Sequence, residues 1–219
     1  NVGGSFASAV LDAAQFRQNA ITGLEYMLGS KEEAVSIFKQ AQDLAKKTPL
    51  DTHKVLEGVQ QLATAGFSGQ ESMELFKVVA DQAAKFSLDP QMQDKVIQAF
   101  SRVKGRGMAM GEDMGSMRAA GFNEEKITQA LLDDPNLAPL FRKIKIPGMA
   151  GGKTKFVDQS KADQLSIMKQ VKETLGEGRV GVYDFLNATI RSVEKESGKG
   201  VGEFAAKMGG ESLTGTISN

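Results

Sequence analysis

The chain contains no cysteine. This excludes disulfides, thiolate nucleophiles and thiolate metal sites, and it leaves the compartment open. One histidine, His53, is too few for a histidine-built metal centre or a histidine-dependent triad. No charge surplus exists either, because 27 Lys and Arg stand against 27 Asp and Glu. A nucleic-acid footprint normally needs a basic excess gathered on one face, so none is expected. No apolar run approaches the ~18–20 residues of a membrane span. What is present is 219 residues, 41% hydrophobic and 25% charged, enough for one large or two small globular domains. The chain starts at Asn1 rather than Met and ends at Ser218-Asn219, which we read as a portion of a longer protein.

Glycine and proline punctuate a mostly helical pattern. Phe6, Val10, Ala13, Ala14, Phe16, Ile21, Leu24 and Met27 keep helical spacing up to Gly29, with Gly23 as a weak point. Ser30 and Glu33 form a capping-box start for a helix carrying Ala34, Ile37, Phe38, Ala41 and Leu44 on one stripe. Pro49 pushes Thr48 out of helical geometry, and Asp51 or Thr52 can cap a third helix that stops at Gly66. Ser68 and Glu71 repeat the capping box. Asp89-Pro90 places a cap before a proline at the first helical position. Further helices are expected at Pro90–Val103, around Glu112–Ala119, after Asn123, after Ser160, around Val182–Val193 and from Val201 to Met208.

Two stretches alternate charged and apolar side chains, Phe141-Arg142-Lys143-Ile144-Lys145-Ile146 and Lys153-Thr154-Lys155-Phe156-Val157. With Pro147-Gly148-Met149-Ala150-Gly151-Gly152 between them, they read as a β-hairpin or extended insertion. The segment ends in Gly-Lys-Thr, as phosphate-binding loops do. Pro147 stands where that loop needs glycine, and no helix starts at Lys153-Thr154 to face a phosphate, so a hairpin tip is the better reading.

Few side chains suggest chemistry. Glu32-Glu33 and Glu124-Glu125 lie in first helical turns, where carboxylates favour the positive end of the dipole. Asp133-Asp134 before Pro135 reads as a helix exit, with a weak cation site left open. His53 reads as an exposed or capping residue. Met108, Met110, Met114 and Met117 are the densest group among ten methionines. Thioether side chains fill ordinary cores and also suit adaptable binding surfaces. If exposed, these four are the candidate partner-binding residues. The first helix is apolar enough to need a partner of its own, which leaves self-association open.

The run Gly29-Ser30-Lys31-Glu32-Glu33-Ala34, then Ala45-Lys46-Lys47-Thr48-Pro49-Leu50, then Leu62 and Ala65-Gly66-Phe67-Ser68-Gly69 resembles the conserved part of phage tail tape measure proteins. That family carries a Gly-Ser-x-Glu-x-Ala helix, an Ala-x-x-Thr-Pro-hydrophobic turn and a Leu-x-x-x-Gly-hydrophobic-Ser stop. Gln98 to Gly105 is similar to its glutamine-rich helix ending in glycine. Met117-Arg118-Ala119-Ala120-Gly121-Phe122 resembles its small-residue element before a short helix, and Leu213 to Asn219 its glycine-then-Ser-Asn segment. The likeness covers residues 24–133 and 203–219; residues 140–200 match no pattern of the family.

The resemblance implies a structural role without catalysis or cofactor. Tape measure proteins lie inside the tail tube, set its length during assembly in the host cytoplasm, and are released at infection. The implied partners are tail assembly chaperone and tail tube proteins. A continuous 219-residue helix would run ~330 Å, but the glycine and proline breaks forbid it, so a folded part of such a protein is expected. The expected fold is mainly α: antiparallel helix pairs with a small β excursion near 142–157. The expected segments are an N-terminal helix (1–28), a conserved helical domain (29–139) and a hairpin with C-terminal helices (140–219). Two other readings stay open. A helical adaptor unrelated to phage would have no affinity for tail proteins, and a nucleotide-binding module would need Lys153 and Thr154 to contact phosphate.

Overall fold

The computed structural model describes residues 2–147, 155–198, 200–202 and 205, with backbone alone for 2–9, 157 and 197. Nine α-helices lie among them: α1 (Val2–Leu28), α2 (Lys31–Lys47), α3 (Thr52–Thr64), α4 (Gly69–Phe86), α5 (Pro90–Arg106), α6 (Gly111–Ala119), α7 (Glu124–Leu132), α8 (Lys161–Gly176) and α9 (Val182–Ser197). The mainly α architecture expected from the periodicity is therefore present. The chain divides into two compact units, and the division falls inside α4, between Lys77 and Val78. It does not follow the expected segment limits at 28/29 and 139/140, because α1 packs on α2 and α3, while α7 packs on α8 and α9.

In the first unit, α1, α2 and α3 pack mutually around Leu24, Ile37, Phe38, Val55, Val59 and Leu62, all buried. The caps follow the sequence, with one change. Ser30 Oγ accepts from the Glu33 N–H at 3.2 Å, as a capping residue should. The Glu33 carboxylate does not return to Ser30. Its Oε1 instead accepts from the backbone N–H of Gly69 at 3.0 Å, at the start of α4. First-turn amides lack intrahelical partners, so this contact satisfies an orphan donor 36 residues away and ties two helix starts together. Gly69 is required there: a Cβ would stand 2.7 Å from Glu33 Oε1 and 2.9 Å from Ile37 Cγ1. Ser68 and Glu71 do form the reciprocal capping box, at 2.8 and 3.3 Å.

In the second unit, α5 and α6 form a helical hairpin, α7 packs against α9, and α8 contacts α6 and α7. Phe100, Met114, Met117, Ile127, Leu131, Ile167 and Phe185 are fully buried. At Gly121 the backbone is left-handed (φ 84°) and the Phe86 ring lies over it, so a Cβ would meet Phe86 Cδ2 at 2.8 Å. Both features demand glycine there.

The expected β excursion does not form in the part described. Residues 141–143 are turn, 144–146 irregular, and Phe156–Asp158 make a single 3-10 turn. Phe156 is the physical reason: it is wholly buried, and the turn that seats it packs on α7 and α8. Burying one large aromatic outweighs the weak strand preference of a short Lys-interrupted run. The expected hairpin tip, with Lys153 and Thr154, lies outside the described residues, as does most of the expected Val201–Met208 helix. Among the described residues the one β-type pairing is an isolated bridge between Met108 and Gly181.

The segment after α7 is held by charge. Arg191 of α9 donates to Asp134 Oδ2 at 2.8 Å, and the Asn136 N–H donates to Oδ1 at 2.9 Å. The Arg191 hydrogen bond, aided by the Asn136 amide and by Arg191's charge, holds the Asp134 carboxyl below its ordinary range against the opposing effect of burial. A depressed carboxylate pKa adds stability above the unfolded value of ~4, and that stability is lost as pH falls through the folded value. Asp134→Asn should therefore flatten the stability loss below about pH 4. Unfolding midpoints of both proteins across that range would check it, and parallel acid curves would refute it.

Candidate interaction surface

The four methionines singled out by density do not share one environment. Met114 and Met117, on α6, are 1% and 0% exposed and belong to the core of the second unit. Met110 is half-buried at the N-cap of α6. Met108 is exposed, with its Sδ over Gly178. Residues 107–110 are also tied down: Ala109 N–H donates to Val180 at 3.0 Å and Val182 N–H to Gly107 at 3.2 Å. At most Met108 and part of Met110 are presented to a partner.

The start of α6 holds an ion pair that the methionine pattern did not reveal. Asp113 is fully buried. Its carboxylate accepts two bonds from Arg106 Nη2, at 2.6 and 2.5 Å, and one from the Met110 N–H at 2.7 Å. Glu112 receives Arg106 Nη1 at 2.5 Å. Burial opposes the guanidinium charge, but the Glu112 hydrogen bond and the Asp113 carboxylate outweigh it and raise the Arg106 pKa. The sequence signal was present, as an acidic pair in a first turn just after a Gly-Arg-Gly helix end, but burial of Asp113 could not be read from it.

The other candidate side chains have structural partners. His53 is exposed in the first turn of α3 and stacks on Phe16, ring centroids 5.9 Å apart. Glu124 pairs with Arg118 at 3.5 Å and with Lys172 at 2.5 Å, and Glu125 pairs with Lys161. Asp133 and Asp134 face Lys195 and Arg191 across the α7–α9 contact. Among the described residues no group of three or more His, Cys, Asp or Glu could hold a metal, and no helix is long and apolar enough to cross a membrane.

Among the described residues the longest unbroken run of exposed positions is on α1. Every residue from 10 to 19 is exposed, including Val10 at 53%, Leu11 at 65%, Ala13, Ala14 and Phe16. α1 has 27 residues, α2 has 17 and α3 has 13, so at ~1.5 Å per residue α1 outruns α2 by roughly 15 Å. Burial on α1 begins at Ala20, and one turn before it the exposed Phe16 ring meets Phe38 at 6.3 Å and His53 at 5.9 Å. Beyond it, Asp12 is the single charge among residues 10–16. A helical stretch of this composition gains about 1 kcal/mol for each half-exposed Val or Leu that a partner covers.

No protein-family model, no curated protein and no solved structure matches this chain.

Proposed function

We propose that the chain is a folded segment of a phage tail tape measure protein, and that it acts through protein contacts rather than catalysis. The resemblance of residues 24–133 to that family supports this reading, and so do the helix starts and stops on which the resemblance rests. The single observation that carries it is the uncovered stretch of α1 at residues 10–19, which presents Val10, Leu11 and Phe16 to solvent. Exposed apolar stretches of this kind mark protein–protein contact sites. An amphipathic helix laid in an apolar groove is the mode such a stretch fits. The proposed partner is the tail assembly chaperone, bound in the host cytoplasm before the segment passes into the tail tube.

The test is light scattering of the chain alone and with the tail assembly chaperone or tail tube protein encoded beside it. A defined complex is expected. Val10→Glu combined with Leu11→Glu should weaken it by about tenfold or more, since two apolar anchors lost approach ~1.4 kcal/mol or above. Helix content and unfolding midpoint should not change, because neither side chain is buried in the fold. A chain that ignores both tail proteins would overturn the reading in favour of a helical adaptor of another system.

A further inference from the structure

The α5–α6 hairpin carries a second feature, chemically unlike the α1 surface. On its outer side a hollow of about 220 Å³ is lined by Met92, Lys95 and Arg102 of α5 and by Ser116 and Ala119 of α6. Lys95 and Arg102 are seven residues apart, two turns along one helix face, about 10 Å in rise. Helical side chains lean toward the N-terminus, so Arg102 extends back toward Lys95. Arg102 Nη2 donates to Ser116 Oγ at 3.1 Å. The Ser116 hydroxyl in turn donates to the Glu112 carbonyl at 3.2 Å, which fixes it as the acceptor for Arg102. One N–H of the guanidinium is thus anchored and four remain.

Charge sets this hollow apart. The other arginines on helices of the second unit each meet a carboxylate: Arg106 meets Glu112 and Asp113, Arg118 meets Glu124, and Arg191 meets Asp134. Arg102 and Lys95 have no carboxylate partner among the described residues. Both acids of α6, Glu112 and Asp113, pair with Arg106, one turn further along α5. Asp94 adjoins Lys95 in sequence, about 100° around the helix. Two cations, one of them an anchored guanidinium fork, therefore flank a concave space whose lining holds no carboxylate.

We infer that this hollow binds one tetrahedral oxyanion, inorganic phosphate or the phosphate of an ester. A carboxylate that meets the guanidinium fork with both oxygens has no third oxygen to turn out of that plane toward the lysine. A phosphate meets the fork with two oxygens and offers a third to Lys95. Met92 and Ala119 wall the space without competing donors. The site is partly open to solvent, so binding is weak and salt-sensitive.

The test is an amide chemical-shift titration of the full chain with inorganic phosphate, with sodium chloride at matched ionic strength as reference. Saturable shifts confined to residues 92–102 and 111–119 are expected. Arg102→Gln should weaken the affinity by about tenfold or more, the scale of one charge-assisted bidentate contact. Arg102→Lys, which keeps the charge and loses the fork, should also weaken it, and Lys95→Gln should lower it severalfold. Lys39→Gln, on α2, should leave it unchanged. A parallel titration with glycerol phosphate separates the sources: tighter saturation by the ester assigns the site to a phosphate ester, and equal saturation assigns it to the free ion. Shifts that fail to saturate, that chloride reproduces, or that survive Arg102→Gln would overturn the inference.

Discussion

Arg106→Met should destabilise the chain by about 2–4 kcal/mol. Removing one partner of a buried ion pair leaves the other charge uncompensated, which costs roughly 3–5 kcal/mol in fully buried cases. Arg106 is a third exposed, so water screens part of the loss and the expected figure is lower. Asp113 has no such relief. It is fully buried, and without the guanidinium it keeps only the Met110 N–H at 2.7 Å. Adding Asp113→Asn should recover most of the loss, because the amide still accepts from Met110 and no charge is stranded. Urea unfolding of the wild type, both single variants and the double variant would close the thermodynamic cycle. A single-variant loss under about 0.5 kcal/mol, within the usual range for surface substitutions, would show that the pair does not hold the hairpin.

Met117→Ala is the second large effect, at about 2–5 kcal/mol, for the transfer of the lost atoms and the cavity they leave. Met117, in the last turn of α6, is 0% exposed. Met108→Ser, nine residues earlier and 37% exposed, should cost under about 1 kcal/mol, because few of its contacts are with the core. The comparison separates two uses of the same residue type. If the two substitutions cost the same, the division of the methionine group into core and surface is wrong. Partner binding read in parallel should be insensitive to Met117→Ala so long as the chain remains folded, since that side chain offers nothing to a ligand.

These two positions also show where sequence reasoning reaches its limit. Methionine density was visible at 108–117, but exposure was not, because a methionine every two to four residues fits both a core stripe and a binding stripe. Burial is a property of what packs opposite. Here α5 and α8 flank α6 and the Met108 bridge to Gly181 sets its entry. The same holds for Glu33. Its position three residues after Ser30 announced a helix start, and the helix does start there. The carboxylate nevertheless goes to Gly69, because the fold brings an unsatisfied amide within 3.0 Å.

The described ends of the alternating segment, 142–147 and 155–157, are not strand for a related reason. Alternation signals a strand only where one face finds a sheet or a core to cover it. Phe156 finds the core through a 3-10 turn against α7 and α8, and no strand forms in the part described. The oxyanion hollow was not legible either, since Lys95 and Arg102 look like ordinary solvated cations until Ser116 is placed opposite.

What the sequence determined by itself is the set of helices and their ends. Caps at Ser30, Asp51, Ser68, Asp89, Asn123 and Ser160 bond their own first turns, a local interaction fixed by neighbours three residues away. Apolar spacing fixed which face of most helices turns inward, again from residues within one or two turns. What only the tertiary structure decided is which of those faces find cover. Arg106 meets Asp113, Glu33 meets Gly69, Phe156 is buried and residues 10–19 of α1 are not, because each outcome depends on the length and placement of elements distant in the chain. Local geometry follows from short-range sterics and hydrogen bonds; burial and charge pairing depend on distances that exist only after the helices have packed.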